Sequence, residues 1–214
     1  MDMMVTAIEP YPKGKGRVAV YLNNKFAFVL YKGELSDYEL EEGSRVDDAL
    51  YARILEQTLI PRAKKRAMNL IKTMDRPEHD IRTKLSDGGY PPEAVDAAVS
   101  YLKSFHYIDD MRYAGEFIRF RSSSMSRAQI IAKLIAKGIS RDTVDAAFAE
   151  YEQESGEDIT STEKELIRRL ITKRFPSGTS GITYEEKQKL YAYLYRKGFP
   201  VSLIDEAFQS LGDP

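Results

Sequence analysis

The chain has 214 residues, of which 43% are hydrophobic and 30% are charged, with a formal net charge of −1 and no cysteine. The lack of cysteine excludes disulfides, thiolate metal sites and cysteine nucleophiles, and a net charge near zero is not the strong basic excess of an autonomous DNA-binding protein. No apolar run approaches the roughly 20 residues needed to span a bilayer, and the first residues lack a signal-peptide pattern, so we expect a cytoplasmic protein.

The charge is unevenly distributed along the chain. Residues 60–150 contain 16 basic and 12 acidic side chains, whereas acidic residues exceed basic ones on either side. This pattern suits a protein whose middle faces an anion while its ends meet something else. Ordinary scatter of charge is the alternative.

Residues 1–34 differ from the rest in containing runs of β-branched and aromatic residues. Two such runs, 17–22 and 25–31, are separated by Asn23 and Asn24. Asparagine tolerates the positive φ of a tight turn, so we predict a β-hairpin. A hairpin alone is marginally stable, so it must pack on its neighbours or gain a third strand, for which residues 5–8 are a candidate.

Two short features of this N-terminal part are also interpreted. The KGKG loop at residues 13–16 is expected to be a solvated turn, with a phosphate contact as the alternative. Ser36 and Glu39 have the spacing of a capping box, which predicts a short helix starting there and ending near Gly43.

From residue 46 onward nearly all of the chain is predicted to be helical. Residues 47–59 and 61–74 form two helices, or one continuous helix kinked at Pro61. The second contains the densest positive charge of the protein, in Arg62, Lys64, Lys65 and Arg66. Such a run is either a solvated face or a contact for nucleic acid or an acidic partner.

A pattern centred on Gly89, Gly138 and Gly198 then occurs three times. A leucine lies four residues before each glycine and a bulky apolar residue directly follows it. Apolar residues recur six, nine and ten positions later, with an aspartate at the seventh. Glycine in a left-handed conformation ends a helix, and the apolar positions that follow lie on one face of the next helix.

With an earlier helix in each unit, the pattern predicts a mainly α fold. Three tandem three-helix repeats form an elongated, curved body with a small N-terminal β-hairpin extension. The predicted boundaries are 1–45 for the extension and 46–106, 107–152 and 153–214 for the three repeats.

The stretch YIDDMRYAGEFIRFR at residues 107–121 opens the second repeat. Asp109 and Asp110 lie where a helix should begin, and carboxylates there accept hydrogen bonds from unpaired backbone N–H groups. Adjacent residues at a helix start point apart, so capping is preferred to metal binding or acid–base chemistry for this pair. One side of the helix is predicted to be apolar, with Arg121 projecting from it at the helix end; it contains Tyr113, Ala114, Phe117, Ile118 and Phe120.

No catalytic or metal-binding constellation is found in the sequence. His79 and His106 lack partners at ligand spacing, and neither a phosphate-binding glycine motif nor a G-x-S-x-G nucleophile motif is present. The sequence therefore predicts a protein that is not an enzyme and has no cofactor or metal.

The stretch YIDDMRYAGEFIRFR, followed by SRAQIIAKLIAKGI and DTVDAAF, resembles the RecX family of bacterial recombination regulators. The resemblance is strong over residues 60–150, the third repeat agrees through LYRKGFPVSLIDEAF, and the hairpin looks like an extension carried by some members. The structural signature of this resemblance consists of Asp109, Asp110, Tyr113, Ala114, Phe117 and Gly138.

The resemblance implies a non-enzymatic modulator, with inhibition expected, of the RecA recombinase in DNA repair and the SOS response. Such proteins lie in the groove of the RecA–single-stranded-DNA filament and restrain ATP hydrolysis and strand exchange. We expect a monomer without membrane contact that meets single-stranded DNA directly or through the filament. As a hypothesis, the contacts are made by Arg62, Lys64, Lys65, Arg66, Arg112, Arg119, Arg121, Arg127, Lys133 and Lys137.

A direct single-stranded nucleic-acid-binding protein that competes with the recombinase for DNA is the alternative. Tyr107, Tyr113 and Phe120 lie near basic residues and are able to stack on bases. Against this reading, those positions fit the predicted buried face. A helical-repeat scaffold for another partner is a third reading.

Overall fold

The computed structural model describes residues 3–156, 158–176 and 181–210. Residues 1–2, 157, 177–180 and 211–214, which belong to the predicted extension and third repeat, lie outside the described residues. The internal contacts divide the chain into an N-terminal unit, Met1–Asp109, and a C-terminal unit, Asp110–Pro214. No helix within the described ranges is long and apolar enough to cross a bilayer.

The N-terminal unit begins with a four-stranded antiparallel sheet in the order β3-β2-β1-β4. The predicted hairpin is confirmed, with Asn23 and Asn24 both at positive φ (48° and 64°) in its turn. The candidate third strand is also present, and a fourth short strand pairs with it. The strands are β1 (Met3–Pro10), β2 (Arg17–Leu22), β3 (Lys25–Tyr31) and β4 (Arg45–Val46).

The short helix that follows the hairpin lies earlier than the sequence predicts. Helix α1 (Lys32–Asp37) begins directly after β3, and the Glu34 carboxylate accepts a hydrogen bond from the Tyr31 backbone N–H (2.7 Å). The predicted capping box at Ser36 and Glu39 is therefore wrong. Glu39 instead adopts a left-handed conformation (φ 52°) that turns the chain out of the helix.

The helices of the N-terminal unit pack against the sheet. Helix α2 (Asp48–Ile54) continues through a π-helical turn (Leu55–Leu59) into α3 (Ile60–Ile71), so the continuous alternative is confirmed. Pro61 lies in the first turn of α3, where its missing N–H is tolerated. Helices α4 (Glu78–Ser86) and α5 (Pro92–Ser104) complete one hydrophobic core shared with the sheet.

The C-terminal unit contains six helices within the described residues, and α6 begins at the predicted acidic pair. Two of them begin with capping boxes, at Ser126 for α7 and at Thr183 for α10. The helices are α6 (Asp110–Arg121), α7 (Arg127–Ala136), α8 (Arg141–Ser155), α9 (Ile159–Arg174), α10 (Tyr184–Arg196) and α11 (Val201–Ser210).

The three-fold glycine pattern has the predicted structural meaning. Gly89, Gly138 and Gly198 all adopt left-handed conformations, with φ of 84°, 82° and 80°. The recurring leucine before each glycine is fully buried, and the recurring apolar positions after it are buried. The pattern therefore encodes the packing of two successive helices in each repeat.

Two of these glycines also lie against a neighbouring element. A Cβ on Gly89 would meet Cγ2 of Val29 in β3 at 2.2 Å, and the Val29 backbone N–H donates to the Gly89 carbonyl (3.0 Å). A Cβ on Gly198 would lie 3.0 Å from the Ala128 Cβ at the start of α7. The glycine turns thus join the first repeat to the sheet and the third repeat to the second.

The start of α7 is the main polar contact between the second and third repeats. The buried Ser126 hydroxyl donates to the Lys197 carbonyl (2.6 Å), and the Arg127 backbone N–H donates to Oε1 of Glu163 (2.8 Å). Glu163 is only 4% exposed, and its burial raises the pKa of the carboxyl, opposed by the Arg127 N–H.

Candidate functional site

The basic side chains of the N-terminal unit converge on a cleft between the sheet and α3. We call it the N-terminal cleft; its volume is about 1160 Å³. Two carboxylates, Glu34 and Asp87, line it together with seven cationic side chains. The cationic side chains are Lys13, Arg17, Arg62, Lys65, Arg66, Arg76 and Lys84.

Helix α3 presents only part of its basic cluster to this cleft. Arg62, Lys65 and Arg66 line it, because residues three and four apart share one side of a helix. The Lys64 ammonium lies instead over the ring of Tyr101 in α5, 5.2 Å from its centroid. The four residues that the sequence groups together therefore face two directions.

Arg62 is the most constrained of the three. Its Nη2 pairs with Glu34, and its guanidinium lies 4.9 Å from the centroid of the Tyr31 ring. Its Nη1 is buried and has no hydrogen-bond partner among the described residues. An unsatisfied buried donor costs roughly 1–3 kcal/mol, which the pair with Glu34 and the contact with the Tyr31 ring must offset.

The sheet supplies the opposite wall of the cleft. Arg17 donates to the carbonyls of Lys13 and Gly88, and its guanidinium lies 5.1 Å from the Tyr11 ring centroid. The Lys13 ammonium donates to the Asp87 carbonyl (3.1 Å). Neither residue is among the predicted contacts: Lys13 lies in the loop expected to be a solvated turn, with a phosphate contact as the alternative, and Arg17 begins β2. No local signal identifies them, because their partners are more than 70 positions away.

The phenol of Tyr90 shows how closely the cations are grouped. Burial raises the pKa of Tyr90, and the positive charges of Arg62, Arg17 and Arg66 oppose that rise. Guanidinium groups from β2 and from α3 therefore act on one buried hydroxyl. At the far side of the cleft Arg76 and Lys84 share the Asp80 carboxylate, at 2.6 and 3.7 Å.

A second basic surface lies between α6 and α7, and we call it the α6–α7 cleft. Its volume is about 660 Å³. The Arg121 guanidinium lies 6.0 Å from the Phe117 ring centroid and the Lys137 ammonium 5.7 Å from that of Tyr113. The lining residues are Tyr113, Glu116, Phe117, Phe120, Arg121, Met125, Lys133, Ala136 and Lys137.

The predicted apolar face of α6 is partly wrong. Ala114 and Ile118 are fully buried, and Tyr113 and Phe117 are half-buried, but Phe120 is 81% exposed. Two residues advance a helix by about 200°, so Phe120 points nearly opposite Ile118 and away from the core. A large apolar side chain thus lies in solvent beside Arg121 and Lys133.

The remaining predicted contact residues are placed differently. Arg119 is exposed and pairs with Glu154 (2.8 Å). Arg127 pairs with Glu152 (3.1 Å) and lies 4.5 Å from the Phe148 ring centroid, so it contributes to packing. Arg112 is exposed on α6 but does not line the α6–α7 cleft. Tyr107 stacks on Phe105.

Within the described ranges, no group of three His, Asp or Glu side chains is placed to hold a metal ion. The geometry therefore offers two cationic surfaces that carry aromatic rings. Such surfaces can bind phosphates, carboxylates and exposed bases.

Comparison with known proteins finds three family models in tandem. RecX, first three-helix domain, matches residues 63–102; the second three-helix domain matches 109–147; and the third matches 162–208. Each match lies within one of the predicted repeats, and together they cover more than half of the chain.

Individual relatives match nearly the full length of this chain. "Regulatory protein RecX" of Clostridium acetobutylicum is 28% identical over 97% of this chain and 95% of its own. The protein of the same name from Levilactobacillus brevis is also 28% identical, over 97% of this chain and 76% of its own.

Two solved structures are similar. A crystal structure of regulatory protein RecX superposes with a TM-score of 0.63 at 26% identity, covering 97% of this chain and 99% of that one. RecX from Lactobacillus salivarius gives a TM-score of 0.60 at 21% identity, covering 72% of this chain and 96% of that one.

Proposed function

Because this chain belongs to the RecX family of regulatory proteins, we propose that it regulates the RecA recombinase without being an enzyme. In this proposal a cytoplasmic monomer binds in the groove of the RecA–single-stranded-DNA filament and restrains its ATP hydrolysis and strand exchange. The observation that carries the proposal is the tandem of three RecX three-helix domains over most of the helical part of the chain.

The α6–α7 cleft is the surface that we assign to the filament. It combines the exposed ring of Phe120 with three cations, Arg121, Lys133 and Lys137. An exposed aromatic ring next to an arginine is typical of binding hot spots. Both kinds of side chain contribute most to the binding free energy when a partner removes them from water. A filament groove contains protein carboxylates and DNA phosphates, and arginine binds either in a bidentate manner.

Arg119 does not line the α6–α7 cleft, but it is exposed on α6 and we propose it as a separate contact with the filament. Its ion pair with Glu154 joins two side chains that are each more than half exposed, and such surface pairs contribute little, about 0–1 kcal/mol. Arg119 can therefore exchange Glu154 for a carboxylate or phosphate of the filament at small cost.

Filament binding is tested by co-sedimentation of the chain with preassembled RecA–single-stranded-DNA filaments and, separately, with the same DNA alone. We expect the chain to sediment with the filament, and the variant Arg121→Glu/Lys137→Glu to sediment less. Lys189→Glu/Arg196→Glu on α10 is the control with the same change in charge. Equal sedimentation of the two variants would remove the α6–α7 cleft from the assignment, and no sedimentation of the native chain would remove the proposed function.

A direct single-stranded nucleic-acid-binding protein is the second candidate, and the exposure of Phe120 favours it. Phe120 was predicted to lie on the buried face of α6, yet its exposed ring is open to a stacked base. In this case Phe120→Ala weakens binding to DNA alone, by about 1–3 kcal/mol for one stacked base. Binding that requires the recombinase and is insensitive to Phe120→Ala on free DNA argues against this candidate.

A further inference from the structure

We propose that the N-terminal cleft binds the phosphodiester backbone of a single-stranded nucleic acid, and that the β-sheet extension exists in part to complete this site. Every residue that lines the N-terminal cleft belongs to the N-terminal unit. The proposed binding requires no recombinase.

The first support is the concentration of charge. The cleft gathers seven cationic side chains and two carboxylates, although the whole chain has a net charge of −1. A recess lined by one sign of charge focuses the electrostatic field and raises the local concentration of the opposite ion. The ligand of this cleft is therefore a polyanion.

The second support is that part of this charge is unused by the fold. Lys65 and Arg66 are exposed on α3, and neither makes an ion pair with any described residue. Arg62, one turn earlier, keeps a buried Nη1 donor without a partner among those residues. Lys65 and Arg66 lie on the cleft side of the helix, where successive phosphates of an extended strand can reach them, whereas the buried Nη1 of Arg62 adds positive charge to the wall without being open to the strand.

The third support distinguishes a nucleic acid from an acidic peptide. The ring of Tyr31 is 47% exposed and lines the same cleft, with the Arg62 guanidinium over one of its faces. Single-strand-binding proteins combine a cationic groove with aromatic rings on which bases stack. Carboxylates of an acidic peptide need the cations but have no use for an exposed ring.

The sheet and its β1–β2 loop supply two cationic side chains that are held in place at this site. The Tyr11 hydroxyl donates to the Asp87 carbonyl (2.8 Å), and Arg17 donates to the Gly88 carbonyl. These bonds hold the β1–β2 loop against the turn between α4 and α5. The Lys13 and Arg17 side chains are thereby fixed opposite α3, so that the cleft has two cationic walls.

The test is fluorescence anisotropy of a fluorescein-labelled oligothymidylate of about 15 nucleotides, with the full chain and without recombinase. Each phosphate contact on a single strand contributes about 0.7 to the slope of log K against log salt. Loss of two contacts in Lys65→Glu/Arg66→Glu therefore lowers that slope by about 1.4 and weakens binding about 25-fold at 0.1 M salt.

The matched control is Lys25→Glu/Arg168→Glu, which changes the net charge equally. Both side chains are exposed and make no ion pair within the described part of the chain. We expect this control to bind the oligonucleotide nearly as the native chain does. Equal affinities for the two variants would overturn the proposal, because general charge or the α6–α7 cleft would then account for binding.

A second variant and a competitor separate the two kinds of polyanion. Tyr31→Leu keeps every charge and removes the ring, and we expect affinity to fall at least about 5-fold, the lower value for one stacked base. Polyglutamate of equal charge should displace the oligonucleotide poorly. Unchanged affinity in Tyr31→Leu together with efficient displacement by polyglutamate would make the cleft a site for acidic peptides and refute the proposal.

Discussion

The change Gly89→Ala tests how the sheet is joined to the first repeat. Gly89 has φ of 84°, and a Cβ there would lie 2.2 Å from Cγ2 and 2.9 Å from Cβ of Val29. Rotation of the Val29 side chain relieves only the first contact, because its Cβ is fixed to the backbone of β3. The backbone must therefore move, and the Val29 N–H bond to the Gly89 carbonyl is lost.

The cost has two parts. A left-handed conformation costs a non-glycine residue about 1–2 kcal/mol. Forcing an extra carbon into a packed contact costs a further 1–3 kcal/mol or so. We therefore expect Gly89→Ala to lower the free energy of unfolding of the N-terminal unit by about 2–5 kcal/mol, and to speed hydrogen exchange at the Val29 amide.

Two controls separate these parts. Gly43 has a similar φ of 90° and nothing within 4 Å of an added Cβ. Gly43→Ala should therefore lower the free energy of unfolding only by the cost of the left-handed conformation. In the double variant Val29→Ala/Gly89→Ala the 2.2 Å overlap with Cγ2 is removed and only the 2.9 Å contact with the Cβ of residue 29 remains, so its cost should be less than the sum of the single changes. If Gly89→Ala costs no more than Gly43→Ala in urea unfolding, the glycine turn is not packed on β3 as described.

Three further predictions follow from the C-terminal unit. Reversing Arg119 and Arg121 to Glu should weaken inhibition of the recombinase ATPase while circular dichroism shows unchanged helicity; full inhibition by this variant would contradict the assignment. Ser126→Ala removes the cap of α7 and a buried bond to the third repeat, and should lower the free energy of unfolding by about 1–2 kcal/mol in urea; no loss would mean that the cap is not formed. Because burial raises the pKa of Glu163 above its reference of 4.5, its favourable contribution is complete below that value and is lost as the pH rises through the raised pKa. The stability of Glu163→Gln relative to the native chain should therefore increase with pH over this window, and a constant difference would refute the shift.

Most of the fold is readable from local sequence patterns. The repeat glycines, the capping boxes at Ser126 and Thr183, and the turn at Asn23 and Asn24 are short-range signals, and the structure has each of them. The capping box predicted at Ser36 and Glu39 was wrong because the spacing of a capping box does not show whether its first residue starts a helix or lies inside one. In the structure Glu34 caps α1, which begins at Lys32, so Ser36 already lies inside the helix.

The candidate sites were less accessible to such reasoning. The densest basic run on α3 was visible, but its division between Arg62, which faces the cleft, and Lys64, which lies over Tyr101, depends on packing against α5. Lys13 and Arg17 join the cleft only because the sheet docks on a turn more than 70 residues away. Phe120 was predicted to be buried because it is apolar, although its position around the α6 axis places its ring in solvent.

The central claim is that this RecX-family chain regulates the recombinase. The most direct test is the rate of ATP hydrolysis by RecA on single-stranded DNA while the full chain is titrated in. We predict that the rate falls as the chain is added, and falls less with Arg119→Glu/Arg121→Glu. A rate that stays unchanged at every concentration of the native chain would contradict the proposed function.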